Sequence, residues 1–280
     1  ELYPTDGTTD DSMYGLLGVP AYTFELDDAF FQSCSSFEGD TLPKNINALR
    51  YSARALHAPY LLPKGPDTVV VDANGADLVA AGTSVDISAL LDSSRFRQGN
   101  PTEPVYPIAS VNAYLDQLPW DAGASALAMS AADGAFDSNS ETATLSLNTT
   151  GWSSGRHFVH VQGVAANTGQ AGTPNAAYVD VAAAGDIATL SGTVTARDGG
   201  APLAASVTVS NAATGEIRSA DTNPADGAYT RRMLAGNVAV HVLQRVQPEG
   251  SQHATHLVGA AYQQSHLVTG LVQYLHGMET

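Results

Sequence analysis

Hydrophobic and polar residues alternate in short runs along most of the chain, as they do in β-strands with one buried face. Residues 84–92 (SVDISALLD) and 157–167 (HFVHVQGVAAN) show this pattern, and Gly, Pro, Asn and Asp separate such runs from residue 68 onwards. Frequent turn residues without a long helical pattern predict a β-sandwich over residues 68–184. A second β unit is predicted over residues 187–242, where RDGG and PADG are turn signals between strands.

The first 62 residues have a mixed pattern. In VPAYTFEL, Tyr22, Phe24 and Leu26 alternate with polar residues, which predicts a β-strand. Residues 42–60 (LPKNINALRYSARALHAPY) predict a helix that Pro59 ends. Its apolar stripe, at steps of three and four, consists of Ile46, Leu49, Ala53 and Leu56. A piece of about 60 residues is marginal by itself, so we expect this segment to be partly ordered or to dock on the adjacent sandwich.

The last segment, residues 243–280, is rich in His and Gln. Leu267, Leu271 and Leu275 have helical spacing. We expect either a terminal helix or a poorly ordered tail.

The charge of the chain and the length of its apolar runs argue against nucleic-acid binding and against a membrane-spanning helix. The 280 residues include 28 acidic and 12 basic ones, and the net charge of −16 repels phosphate backbones, so we expect no nucleic-acid binding. No apolar run approaches the ~18 residues of a membrane helix. The single cysteine, Cys34, is either a small buried apolar residue or the partner of a cysteine upstream. Because the sequence opens on Glu1 rather than Met, we expect a piece of a longer protein.

Residues 2–26 (LYPTDGTTDDSMYGLLGVPAYTFEL) resemble the end of the catalytic domain of a zinc metallocarboxypeptidase. In that family a mobile tyrosine, a Gly-rich loop, an aspartate pair and a TFEL strand come in this order. Tyr3 and Glu25 fall on the tyrosine and the strand glutamate, with the family's spacing of 22 positions. The helix predicted over residues 42–60 resembles the one that closes the domain.

The resemblance implies that Glu25 is the general base, which takes a proton from zinc-bound water and returns it to the leaving amine. It implies that Tyr3 binds the substrate's terminal carboxylate or scissile amide. The alternatives from the residues alone are an edge-strand carboxylate that faces water and a loop tyrosine that packs its ring. The substrate class would be the C-terminus of a peptide or protein.

Asp10 stands seven residues after Tyr3, where the family places a side chain at the base of the pocket for the substrate's last residue. An aspartate there accompanies Lys or Arg, because a carboxylate and a cation form a strong charge-assisted pair. The alternative is a loop aspartate in an Asx-turn.

The family's zinc ligands, a His-x-x-Glu pair and a later His, all precede the tyrosine. We therefore expect zinc to be the cofactor of the longer protein, with no metal ligand in this chain and with the missing upstream part of the catalytic domain as its partner. His276 and Glu279 have the H-x-x-E spacing but follow the base, and His157 and His160 lie three apart on a predicted strand and so face opposite sides. His253 and His256 could meet on a helix, but two ligands make a weak site.

The remaining segments resemble modules that accompany secreted bacterial hydrolases. Residues 68–184 resemble an immunoglobulin-like sandwich, and residues 187–242 resemble a carboxypeptidase regulatory-like, transthyretin-like domain. Asn148-Thr149-Thr150 is a formal glycosylation sequon, with no expected role in a bacterial-looking chain.

The expected fold class is multidomain and mainly β, an incomplete α/β carboxypeptidase segment over residues 1–62 followed by two β-sandwich domains. The expected function is a secreted or periplasmic metallocarboxypeptidase. The alternative is a non-catalytic β-sandwich binding or adhesion module that carries a peptidase remnant.

Overall fold

The fold is mainly β and divided among several sheets, which confirms the predicted fold class. The computed structural model describes residues 7–27, 29, 31–76, 78–95, 104–196, 200–236, 238–244, 257–258 and 269–273. Two compact units form: unit 1 contains residues 1–74, 86–146 and 158–177, and unit 2 contains residues 75–85, 147–157 and 178–280. The predicted domain boundaries stay predictions.

Three α-helices lie in the first part of the chain: α1 (Thr9–Leu17), α2 (Cys34–Ser36) and α3 (Leu42–Ala55). A π-helical turn, Phe37–Thr41, leads into α3. Helix α3 confirms that a helix starts here, with Pro43 in its first turn, where a missing N–H costs nothing. Its predicted end is wrong, because the helix stops at Ala55, four residues before Pro59. The pattern did not predict α1, which Thr8 caps by a reciprocal pair of hydrogen bonds with Asp11.

Sixteen strands are formed by the described residues. They are β1 (Asp67–Asp72), β2 (Leu78–Ala80), β3 (Ser84–Asp92), β4 (Ile108–Leu115), β5 (Leu127–Ala128), β6 (Ser130–Ala131), β7 (Ser140–Asn148), β8 (Gly155–Ala165), β9 (Asn175–Ala182), β10 (Ile187–Thr195), β11 (Ala205–Asn211), β12 (Glu216–Asp221), β13 (Ala228–Leu234), β14 (Val238–Gln244), β15 (Leu257–Val258) and β16 (Thr269–Gln273). The sheet orders are β1-β3-β7-β6, β2-β9-β8-β4-β5, β13-β10-β16 and β12-β11-β14-β15.

The core of unit 1 lies between strands whose alternation the sequence predicted. On β3 the burial alternates along the strand, so Ile87 and Leu91 are buried while their neighbours are exposed or half-buried. On β8, Gly163 leaves room for Leu91, because a Cβ at position 163 would lie 2.6 Å from Leu91 Cδ2. Strands β3 and β8 belong to different sheets, so this contact packs one sheet on the other.

Unit 2 contains a second sandwich. Its buried core draws residues from both of its sheets: Val194 on β10 and Met233 on β13, with Val207 on β11 and Val240 on β14. Strand β11 has burial at every second residue, which is the period of a strand with one face in the core.

Helix α3 is attached to the strands of unit 1 by Arg54. Its Nε donates to Pro174 O over 2.6 Å, and its Nη2 donates to Asp67 Oδ1 over 2.6 Å and to Thr68 O over 2.7 Å. Just after the helix, the ring of His57 stacks on Trp120 with 4.2 Å between ring centroids. The end of α3 therefore sits on the sheet, and its beginning carries the segment that contains Glu25.

Two further secondary-structure predictions are wrong. Residues 21–26 form no strand; they run as irregular chain, since no neighbouring strand accepts or donates their backbone hydrogen bonds in the described structure. In the last segment, residues 269–273 form β16, which pairs in parallel with β10, so Leu271 is in a strand and not in a helix. Leu267 and Leu275 lie outside the described residues.

Candidate functional site

Glu25 lines an open cavity of about 700 Å³ in unit 1. Its neighbours in the cavity wall include the rings of Phe31 and Phe37 and two further carboxylates, Asp27 and Glu38. Cys34 also lines the cavity and is exposed, so the interpretation of Cys34 as a small buried residue is wrong. Phe31 is 96% exposed, and Glu25 itself is exposed. The cavity therefore places an exposed carboxylate beside exposed aromatic rings.

Helix α3 and the turn before it hold the chain just after Glu25. Asn45 Nδ2 donates to Leu26 O over 2.8 Å and to Thr41 O over 2.8 Å. The hydroxyl of Thr41, a buried residue, donates to the Asp27 carboxylate. These contacts replace the strand pairing that the sequence predicted, and they fix the direction of the segment.

Asp10 lies in the first turn of α1 and does not line the Glu25 cavity. Its pKa is lowered by hydrogen bonds to the carboxylate, first from the Thr8 hydroxyl and then from backbone N–H groups, with a smaller contribution from Thr23. Because Thr23 does line the cavity, Asp10 stands one side chain away from it. Asp10 thus lies near Glu25, the predicted general base, without lining the same cavity. Tyr3 lies outside the described residues.

The residues that the structure describes do not fit a zinc site. Among them no group of three or more His, Cys, Asp or Glu side chains could hold a metal ion. His157 and His160 are both on β8; His157 is buried, with Nε2 2.9 Å from Ser153 O, and burial lowers the pKa of His160. His253, His256, His276 and Glu279 lie outside the described residues.

Unit 2 contains a charged cluster that the sequence did not indicate, here called the Asp180 cluster: Arg156, Asp180, Glu216 and Arg218. Arg156 donates to both carboxylate oxygens of Asp180 over 2.9 and 3.0 Å, and Arg218 Nη2 donates to Asp180 Oδ2 over 2.6 Å. Arg218 also pairs with Glu216, whose other oxygen accepts from the Leu234 N–H over 2.7 Å.

The Asp180 cluster lines an open cavity of about 770 Å³. Its arginines differ in burial, since the Arg218 side chain is 4% exposed and that of Arg156 is 51% exposed. The Arg156 guanidinium also lies over the Tyr178 ring, 3.9 Å from the centroid. The sequence contains no signal for this cluster, because alternation in residues 216–221 (EIRSAD) favours burial of the apolar Ile217, whereas in the structure Ile217 is exposed and Arg218 is buried.

No helix in the described part of the chain is long and apolar enough to cross a bilayer.

No family model and no curated protein matches the chain. Several solved structures are weakly similar to it. AvmM, which catalyses macrocyclisation in alchivemycin A biosynthesis, is 14% identical over 41% of this chain and 89% of its own, with a TM-score of 0.27. The major pilin subunit of Bacillus cereus is 10% identical over 74% of this chain and 70% of its own, with a TM-score of 0.25. The major pilin SpaD of Corynebacterium diphtheriae is 9% identical over 75% and 64%, with a TM-score of 0.23.

Proposed function

We propose that this chain supplies the last part of the catalytic domain of a secreted zinc metallocarboxypeptidase, with Glu25 as the general base. The substrate is the C-terminus of a peptide or protein, from which single residues are released. The order of Tyr3, the loop, TFEL and the following helix motivates the proposal.

One structural observation carries the proposal: the front segment has an apolar surface without a core of its own. Among the described residues from 7 to 61, Thr41 and Ala55 are the buried ones. Large apolar side chains instead face water, including Leu16 at 83%, Leu17 at 67% and Phe31 at 96% exposure. Exposed apolar area of this kind marks an interaction surface, and the proposed occupant is the remainder of the catalytic domain.

Glu25 is suited to proton transfer by its position. A general base must reach the proton that it removes, and Glu25 is exposed at the wall of a cavity large enough for a side chain. In this role it takes a proton from the attacking water and returns it to the leaving amine. The resemblance assigns the zinc ligands to the part that precedes Tyr3, so the proposal expects no peptidase activity from the 280 residues alone.

The test compares two carboxylates of the same cavity in the longer protein that includes the upstream domain. Replacing Glu25→Gln should reduce kcat by about 10²–10⁴-fold while the bound zinc stays constant. The matched control is Glu38→Gln, which removes another carboxylate of the cavity wall and should leave kcat within about twofold of wild type.

Release of C-terminal residues from matched peptides ending in Arg or Phe gives the readout. Full activity in the Glu25→Gln protein would overturn the role of Glu25 as general base. Zinc-dependent release by the 280-residue chain alone would overturn the assignment of the zinc ligands to the upstream part of the catalytic domain. A preference for Arg that Asp10→Ile abolishes would support the pocket role of Asp10.

A further inference from the structure

The sequence contains one N-x-S/T sequon that proline does not interrupt. Of twelve asparagines, Asn148 and Asn100 have Thr two positions later, but Pro101 stands between Asn100 and Thr102. Proline at that position blocks modification. The acceptor motif therefore depends on Asn148, Thr149 and Thr150, and the structure can decide whether the folded protein presents it.

Asn148 is the last residue of β7, and the alternation of that strand turns it outward. It is exposed, while Leu147 and Thr149 on either side are buried. Thr149 is fully buried and holds the strand end in place, since its hydroxyl donates to Thr83 O over 2.8 Å and its N–H donates to the same oxygen over 3.1 Å. The asparagine is thus presented from a fixed backbone.

The sequon adopts an Asx-turn. Asn148 Oδ1 accepts a hydrogen bond from the Thr150 N–H over 2.8 Å, which curls the asparagine side chain toward the residue that carries the required hydroxyl. Trp152 N–H donates to Thr149 O over 3.1 Å, and Gly151 with φ +83° completes a tight turn directly after the sequon. Thr150 is exposed, so both recognition elements face water.

The sequence alone suggested no role for this sequon, but on the exposure and turn geometry above we propose that Asn148 is an acceptor for N-linked glycosylation in the folded protein. The donor class is a lipid-diphosphate-linked oligosaccharide. Asn148 Nδ2 attacks the anomeric carbon and forms the C–N bond, the bond from that carbon to the phosphate oxygen breaks, and the lipid diphosphate leaves with the electron pair. Nδ2 loses one proton to a base of the transferase. This proposal is independent of the peptidase assignment and needs only that the chain meets the transferase.

The test uses the purified, folded 280-residue chain, a purified oligosaccharyltransferase that requires only N-x-S/T, and a lipid-diphosphate-linked oligosaccharide. We expect the mass to rise by one glycan and peptide mapping to place it on Asn148. Asn148→Gln and Thr150→Val should abolish the increase, whereas Thr150→Ser, which keeps the hydroxyl, should retain it. The control Asn139→Gln changes an exposed asparagine outside a sequon and should have no effect.

Two results would overturn the proposal. The first is an unmodified wild-type chain under conditions in which a short acceptor peptide is modified. The second is modification that occurs only after the chain has been denatured, because the folded turn would then hide the sequon rather than present it.

Discussion

Replacing Arg218→Met should strongly destabilise unit 2. The arginine side chain is 4% exposed and donates to two carboxylates, those of Asp180 and Glu216, whose own side chains are 15% and 9% exposed. Methionine retains a long apolar stem but provides no donor and no charge. The substitution therefore leaves two poorly hydrated carboxylates close together with one cation fewer.

The size of the stability loss depends on which partners each carboxylate retains. Removing one partner of a buried ion pair costs about 3–5 kcal/mol. Asp180 retains Arg156, and Glu216 retains the Leu234 N–H, so we expect the lower end of that range, about 3 kcal/mol. If Glu216→Gln is then added to Arg218→Met, part of the loss should be recovered, because the carboxylate that has lost its cation is removed.

Arg156→Met is the matched control, since it removes the other arginine from the same aspartate. The Arg156 side chain is 51% exposed, and exposed ion pairs contribute about 0–1 kcal/mol, with a comparable amount from the contact with the Tyr178 ring. We expect this variant to lose about 1 kcal/mol.

The chain contains two tryptophans, Trp120 in unit 1 and Trp152 in unit 2. In a Trp120→Phe background, the emission of Trp152 reports urea unfolding of unit 2 in the full-length chain. Equal losses for Arg218→Met and Arg156→Met would refute the reasoning, because they would show that burial does not set the cost.

Three further outcomes are expected. Gly172→Ala should lower the free energy of unfolding by about 1–3 kcal/mol or more, because the added Cβ would lie 1.8 Å from Pro66 O. Urea unfolding followed by Trp120 emission measures this loss, and a variant as stable as wild type would contradict the prediction. Arg54→Met removes the side-chain bonds that attach α3 to the sheet, so amide exchange in α3 should accelerate while that in β3 is unchanged; equal protection in both proteins would contradict the attachment. Burial opposes ionisation of Asp180, but Arg156 and then Arg218 lower its pKa below 3.8, so its stabilisation is complete above pH 3.8 and is lost as the pH falls through the folded value. Urea unfolding in this acid window should show a loss for wild type that Asp180→Asn lacks.

The predicted strands of both sandwiches formed because their signal is local. On β3, SVDISALLD alternates apolar and polar residues, and the strand spans those nine residues. Two sheets need only one apolar face each to pack, so a period of two is sufficient to place the residues on the correct side. Helix α3 could be predicted from the sequence for the same reason, because its apolar stripe and Pro43 both lie within the helix.

The sequence also singled out Glu25 and Asp10 through the order and spacing of a motif, but it did not determine their surroundings. Alternation in residues 21–26 predicted a strand, and the chain there is irregular because a strand requires a hydrogen-bonded neighbour that the described structure does not provide. What holds this segment is Asn45, a residue 19 positions after Leu26. No local pattern identifies such a partner.

By itself, the sequence determined the mainly β class of the fold, the positions of strands such as β3 and β8, and the sequon at Asn148. The tertiary structure alone decided that Arg156, Asp180 and Arg218 form one cluster, although 62 positions separate the two arginines. It likewise decided that Asn148 faces water. The physical reason is that periodicity reports which face of an element is apolar, whereas the partner of a charge depends on which distant strands the packing brings within hydrogen-bonding distance.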